Sequence, residues 1–287
     1  MCDDDIHPGL IVDPRVSRRS FGLMAVAAAG VAGSARAAVP VVEKEVEVRT
    51  ADGVADAVLY HPEGKGKWPA VLIWTDVVGL RQAFRDMGRR LAGEGYVVLV
   101  PNVYYRVRRS PVIEGSFDFN KPEDRAKLTP LRASVTPDGV DRDAIAYLAF
   151  LDARSQTDHG KKAGVQGYCM GGPLSFRTAA AVSDRIAAVA SFHGGGLVTD
   201  QPTSPHLLLP KTKAEYLIAV ADNDDKAAPT VKDSLAAAMT AAGRPHRIEV
   251  YAGASHGWCV PGSAIYNEAA AEKAWAELLA LYRRTLV

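Results

Sequence analysis

Cysteine is scarce in this chain, with three in 287 residues, and Cys2 sits in a leader-like N-terminus, which leaves Cys169 and Cys259. A disulfide framework of the kind that staples small secreted domains is thereby excluded, so stability must come from a buried core. CxxC, HExxH and His-x-x-His are all missing, so the expectation is no metal and no cofactor. Charge of one sign is missing too: 34 Lys and Arg face 33 Asp and Glu, for a net +1. The charges are scattered among helix-like segments rather than massed in a basic stripe, which argues against nucleic acid as a partner. Past the N-terminus no segment offers the roughly 20 apolar residues of a transmembrane helix. There is no internal repeat and no linker dividing a second domain. What is present is 48% hydrophobic residues in a length suited to one α/β domain, and a small-molecule site is the natural expectation.

The N-terminus reads differently from the rest. "SRRSFGL" (17–23) precedes the weakly apolar "MAVAAAGVAGSARA", which ends in the small-x-small pattern Ala35-Arg36-Ala37. Paired arginines before a mild apolar stretch resemble a twin-arginine export signal, so residues 1–37 are expected to be a signal and 38–287 a single domain. The apolar stretch is too short and too rich in Ala and Gly for a stable membrane anchor, and the expected location is the periplasm or outside the cell.

From Val42 the polar–apolar alternation of "VEKEVEVRT" and "VADAVLYHP", separated by Ala51-Asp52-Gly53, predicts an antiparallel hairpin at a sheet edge. "WPAVLIW" (68–74) and "YVVLVPNV" (96–103) are continuous apolar runs, typical of strands buried on both faces, and the amphipathic stretch from about Arg81 to Ala92 lies between them. Strand and helix in alternation mean parallel βαβ units. Residues 104–135 are polar, interrupted by Pro111, Pro122 and Pro130, and show no firm period. A connection that long is more often functional than filler. "TPDGVDRDAIAYLAFLDAR" opens with a capped look and predicts a helix to about Arg154. Further strands are expected at "AGVQGYC", 186–192, 216–221 and 247–251, with helices after Cys169, over about 230–242 and from Ala264.

The chemistry concentrates at strand ends. In "GYCMGG" (167–172) a strand ends on a turn into a helix, with Gly167 and Gly171 two residues either side of Cys169. Such a nucleophile elbow lifts the middle side chain out of the sheet edge and sets the N–H of Met170 at a helix N-terminus, facing a developing oxyanion. A thiol needs a base, and the base an orienting acid. Downstream, "VADNDDKAAP" and "GASHGWCVPG" each follow a strand, where open α/β sheets place their sites. His256, preceded by Gly253 and followed by Gly257, is the histidine at the right turn of the seven in the chain. His193 in "SFHGGG" could line the same pocket or be structural.

Together these stretches make the sequence similar to the dienelactone hydrolase family of α/β-hydrolases, from "WPAVLIWTDVVGL" through "PNVYYR", "GYCMGG", "SFHGGG" and "ADND" to "SHGW". The resemblance implies an α/β-hydrolase fold, a mostly parallel central sheet with helices on both faces. It implies Cys169 as nucleophile, Asp224 as acid and His256 as base, with Asp222 and Asp225 competing for the acid role. In "WTDVVGL" it places Asp76 where the family has a glutamate that accepts the thiol's proton, and it gives Val77 the second oxyanion N–H. Asp is one methylene shorter. It also puts Arg106 at the position of one of two arginines that hold an anionic substrate. The second, expected just past His256, has no counterpart in "GWCVPG", although Arg108, Arg109, Arg125 and Arg132 lie in the unassigned 104–135 segment. The implied function is hydrolysis of a small-molecule ester or lactone through a thioester, by a monomer or small homo-oligomer. The alternative is a non-catalytic binding or thiol-redox protein on the same fold, with Cys169 bridged to Cys259 or carrying a stable thiol adduct.

Overall fold

In this computed structural model the described residues are 39–287 except 116, together with the backbone of Ile11–Val12, which pairs with Phe117–Asp118. The expected export signal over 1–37 otherwise lies outside them. Eight strands form the main sheet: β1 Val41–Thr50, β2 Gly53–Pro62, β3 Ala70–Trp74, β4 Val97–Pro101, β5 Ala163–Tyr168, β6 Ile186–Phe192, β7 Glu215–Ala221 and β8 His246–Tyr251. Their spatial order is β8-β7-β6-β5-β3-β4-β2-β1. β1 and β2 are the expected edge hairpin, in register from Val41↔Pro62 to Thr50↔Gly53. β2 runs antiparallel to β4, and every pair from β4 to β8 is parallel. This mixed sheet with helices on both faces is the α/β-hydrolase architecture.

The continuous apolar runs have a simple cause. Along β3, Leu72 and Trp74 enter one core while Val71 and Ile73 enter the other, and β4 divides its residues in the same way. Both faces are covered, so alternation between polar and apolar residues has no place there. Helix α1 (Gln82–Gly93) buries Phe84, Met87, Gly88 and Leu91, the stripe read from the sequence. Helix α3 (Pro137–Asp152) starts at Thr136, whose hydroxyl accepts the Gly139 N–H at 3.2 Å.

The segment 104–135 is not structureless. It contains helix α2 (Pro122–Ala133), which buries Leu128 and Leu131 and carries Pro130 in its last turn. Its few apolar residues and internal proline hide the helical period. A short helix α5 (Asp222–Ala227) follows β7 directly, where the sequence pattern predicts no helix. Helices α4 (Gly171–Ala181), α6 (Val231–Ala241) and α7 (Glu268–Thr285) stand where expected, α7 opening at Glu268 rather than Ala264. Among the described residues no helix is long and apolar enough to cross a membrane.

Candidate active site

The site lies along the carboxyl ends of β3, β5, β6, β7 and β8. β5 stops at Tyr168, Cys169 takes φ +51°, and α4 begins two residues later. The turn closes through a Gly172 N–H to Cys169 carbonyl hydrogen bond of 3.0 Å. It also shows why the flanking residues are glycines. A Cβ on Gly167 would sit 1.9 Å from the Gly171 carbonyl oxygen, and one on Gly171 would sit 2.6 Å from that of Trp74.

The three acids after β7 take different partners. His256 Nδ1 donates to Asp224 Oδ2 at 2.7 Å, while Asp222 pairs with Lys226 at 2.6 Å and Asp225 with Lys232 at 2.7 Å. Because α5 begins directly after β7, its first turn swings consecutive acids to different sides, and only Asp224 faces the histidine. Asn223, which the sequence did not single out, accepts the His256 backbone N–H at 2.8 Å and so ties the two loops together. Burial by itself would push the His256 imidazole toward neutrality, but the adjoining Cys169 sulfur and the Asp224 carboxylate reverse this and raise its pKa well above the usual histidine range.

His193 belongs to this cluster. It is 1% exposed, its ring meets those of His256 at 4.8 Å and Trp258 at 5.3 Å, and burial followed by repulsion from His256 lowers its pKa well below 6.5. Neutral and buried, its Nδ1 accepts the Cys169 N–H at 3.1 Å.

Two expected residues are placed differently. Both oxygens of Asp76 are taken by Arg81, at 2.6 and 2.7 Å, and Oδ1 also accepts the Val78 N–H at 3.0 Å. The carboxylate therefore organises its own loop, and the thiol's hydrogen-bond partner is His256. Arg106 is held by Asp143, at 2.8 Å through each of two nitrogens, and by Asp52 at 2.6 Å, over the Tyr105 ring. It locks the hairpin turn to α3. Of the other arginines in that segment, Arg108 and Arg109 pair with Glu114 and Glu47, Arg125 donates to the Phe119 carbonyl, and Arg132 lies near enough to Tyr104 to act on its hydroxyl.

Val77 is buried at the end of the β3 loop, and Met170 caps α4, where helix N–H groups have no partner inside the helix. Cys169 and Cys259 are both free and are not bridged to each other. Among the described residues no group of three His, Cys, Asp or Glu could hold a metal ion.

Fold and site together define an α/β-hydrolase. The chain belongs to the dienelactone hydrolase family, whose family model matches residues 55–286. A "Putative carboxymethylenebutenolidase" of Synechocystis is 27% identical over 231 residues, covering 79% of this chain and 91% of that protein. A protein of the same name from Escherichia coli K12 is 26% identical over 234 residues, covering 78% and 81%. In architecture, the crystal structure of a "Putative Dienelactone Hydrolase from Klebsiella pneumoniae" superposes with a TM-score of 0.73 at 22% identity, covering 85% of this chain and 99% of that one.

Proposed function

We propose that this protein hydrolyses carboxylic esters or lactones through a thioester on Cys169. The observation that carries the reading is the His256–Asp224 hydrogen bond of 2.7 Å beside Cys169 on its positive-φ elbow. The thiolate attacks the substrate carbonyl, forming the Sγ–C bond and an oxyanion that faces the N–H groups of Met170 and Val77. Collapse expels the alkoxide, which takes the proton of His256. The thioester removes the sulfur's negative charge, a principal support for the imidazolium, and burial then favours neutral imidazole. Neutral His256 accepts a proton from water, and the resulting hydroxide attacks the thioester. Thiolate leaves, and the ion pair is restored. No cofactor enters the cycle.

Cys169→Ala is expected to abolish hydrolysis of p-nitrophenyl acetate while leaving the Tm nearly unchanged. Undiminished turnover would end the reading. The reading extends to location: residues 1–37 would direct export by the twin-arginine route. A reporter fused to these residues should be exported in a wild-type host and retained in one lacking the twin-arginine translocase. Export that is indifferent to the translocase would remove that part.

A further inference from the structure

Val77 is held from both sides. Its carbonyl accepts a hydrogen bond from the Tyr104 hydroxyl at 2.8 Å, and the N–H of the same peptide group, that of Val78, donates to Asp76 Oδ1 at 3.0 Å. The preceding peptide plane is fixed as well, because the Asp76 carbonyl accepts the Gly79 N–H at 3.0 Å. Arg81 in turn clamps the Asp76 carboxylate through two nitrogens. The Tyr104 oxygen also lies 3.4 Å from the sulfur of Met170. One hydroxyl thus joins the two segments that carry the proposed oxyanion donors. Tyr104 is fully buried. Burial, then the negative charges of Asp76 and Cys169, raise its pKa well above 10.0, so it keeps its proton and always donates.

We propose that Tyr104 is a positioning residue of the oxyanion hole: by pinning the Val77 carbonyl against Met170 it sets the distance and direction of the two N–H groups that receive the oxyanion. The assignment rests on the function proposed above. Preorganised donors act through placement, so a small shift in one of them weakens transition-state binding without weakening the nucleophile.

Tyr104→Phe removes the hydroxyl and keeps the ring. Three measurements separate the roles. Turnover of p-nitrophenyl acetate reads the whole cycle. Affinity for an alkyl trifluoromethyl ketone reads the hole, because the thiolate adds to its carbonyl, the C–O π bond opens to an alkoxide and nothing leaves. Inactivation by iodoacetamide reads the thiolate alone, since the Sγ–C bond forms as C–I breaks and no oxyanion develops. The expected result is a fall of about tenfold or more in kcat and in ketone affinity, with KM and the iodoacetamide rate within about twofold of wild type. Unchanged ketone affinity overturns the proposal, and so does a parallel fall in alkylation, which would mean that Tyr104 supports the thiol or the fold. If Tyr104→Phe does not fold, Arg81→Gln, at a side chain that reaches the surface, frees the other end of the same peptide group. It should give the same split to a smaller extent, and retained ketone affinity there overturns the clamp. Wild-type protein that is alkylated and binds the ketone but hydrolyses no ester would sink the proposed function and leave this inference standing. Alkylation without ketone binding would sink this one.

Discussion

The main-chain N–H of Cys169 donates to Nδ1 of His193 at 3.1 Å, and these two are the non-glycine residues at positive φ among those described, at +51° and +42°. They end neighbouring strands, β5 and β6, so each strained turn holds the other. The same N–H also reaches the Phe192 carbonyl at 3.0 Å.

His193→Phe should therefore lower kcat by loosening the elbow, and it should also change stability in acid. The folded pKa of His193 is depressed, so below about 6.5 the unfolded chain binds a proton that the folded chain refuses. That contribution to stability is complete above pH 6.5 and is lost as pH falls, by up to about 1.4 kcal/mol per pH unit. Denaturant titrations from pH 7.5 to 4.5 should show a shallower acid loss in the variant. Equal slopes would mean that His193 is protonated in the folded protein.

The three acids of α5 should separate cleanly. Asp224→Asn is expected to cost about a thousandfold or more in kcat, since the amide no longer orients His256 or supports its charge. Asp222→Asn and Asp225→Asn, which lose pairs with Lys226 and Lys232, should stay within a few-fold of wild type. Steady-state kinetics on one ester decides it.

Arg106→Ala should act on stability and leave the ratio of kcat/KM for anionic and neutral esters unchanged. Its partner Asp143 is 1% exposed, and stranding that carboxylate is expected to cost about 3 kcal/mol near neutrality. Burial raises the Asp143 pKa, and without the arginine it would rise further. A raised folded pKa means stability lost as pH increases, so the deficit should deepen from about pH 4 upward. A thousandfold selective loss on anionic lactones would instead place Arg106 in the site.

Gly167→Ala tests the elbow itself. With the added Cβ 1.9 Å from a backbone oxygen that has no freedom to move, the variant should either fail to accumulate as folded protein or fold with inactive geometry. Soluble yield, Tm and iodoacetamide labelling of Cys169 distinguish these outcomes, and a stable, active Gly167→Ala variant would contradict the packing described.

The strands, their order of appearance, the turn at Cys169 and the position of His256 after the last strand were legible in the sequence. All of them are set over short distances along the chain: apolar runs where both faces of a strand are covered, glycines where backbones meet at Gly167 and Gly171, a cap at Thr136. What the linear sequence could not show is which polar side chains meet across the fold. The resemblance favours Asp224 while Asp222 and Asp225 compete with it on paper, and the start of α5 decides which of the three meets His256. Asp76 could have faced the thiol, but Arg81, five residues on, reaches back to take both of its oxygens. Arg106 sits in a motif-like stretch, yet Asp52 and Asp143, 54 and 37 residues away in the chain, claim it. Tyr104 and His193 matter through a carbonyl and an N–H of residues 27 and 24 positions distant. Periodicity encodes burial because burial is a property of one face of one element. A charged or hydrogen-bonding side chain has several possible partners, and the nearest one is chosen only when the sheet brings the strand ends together.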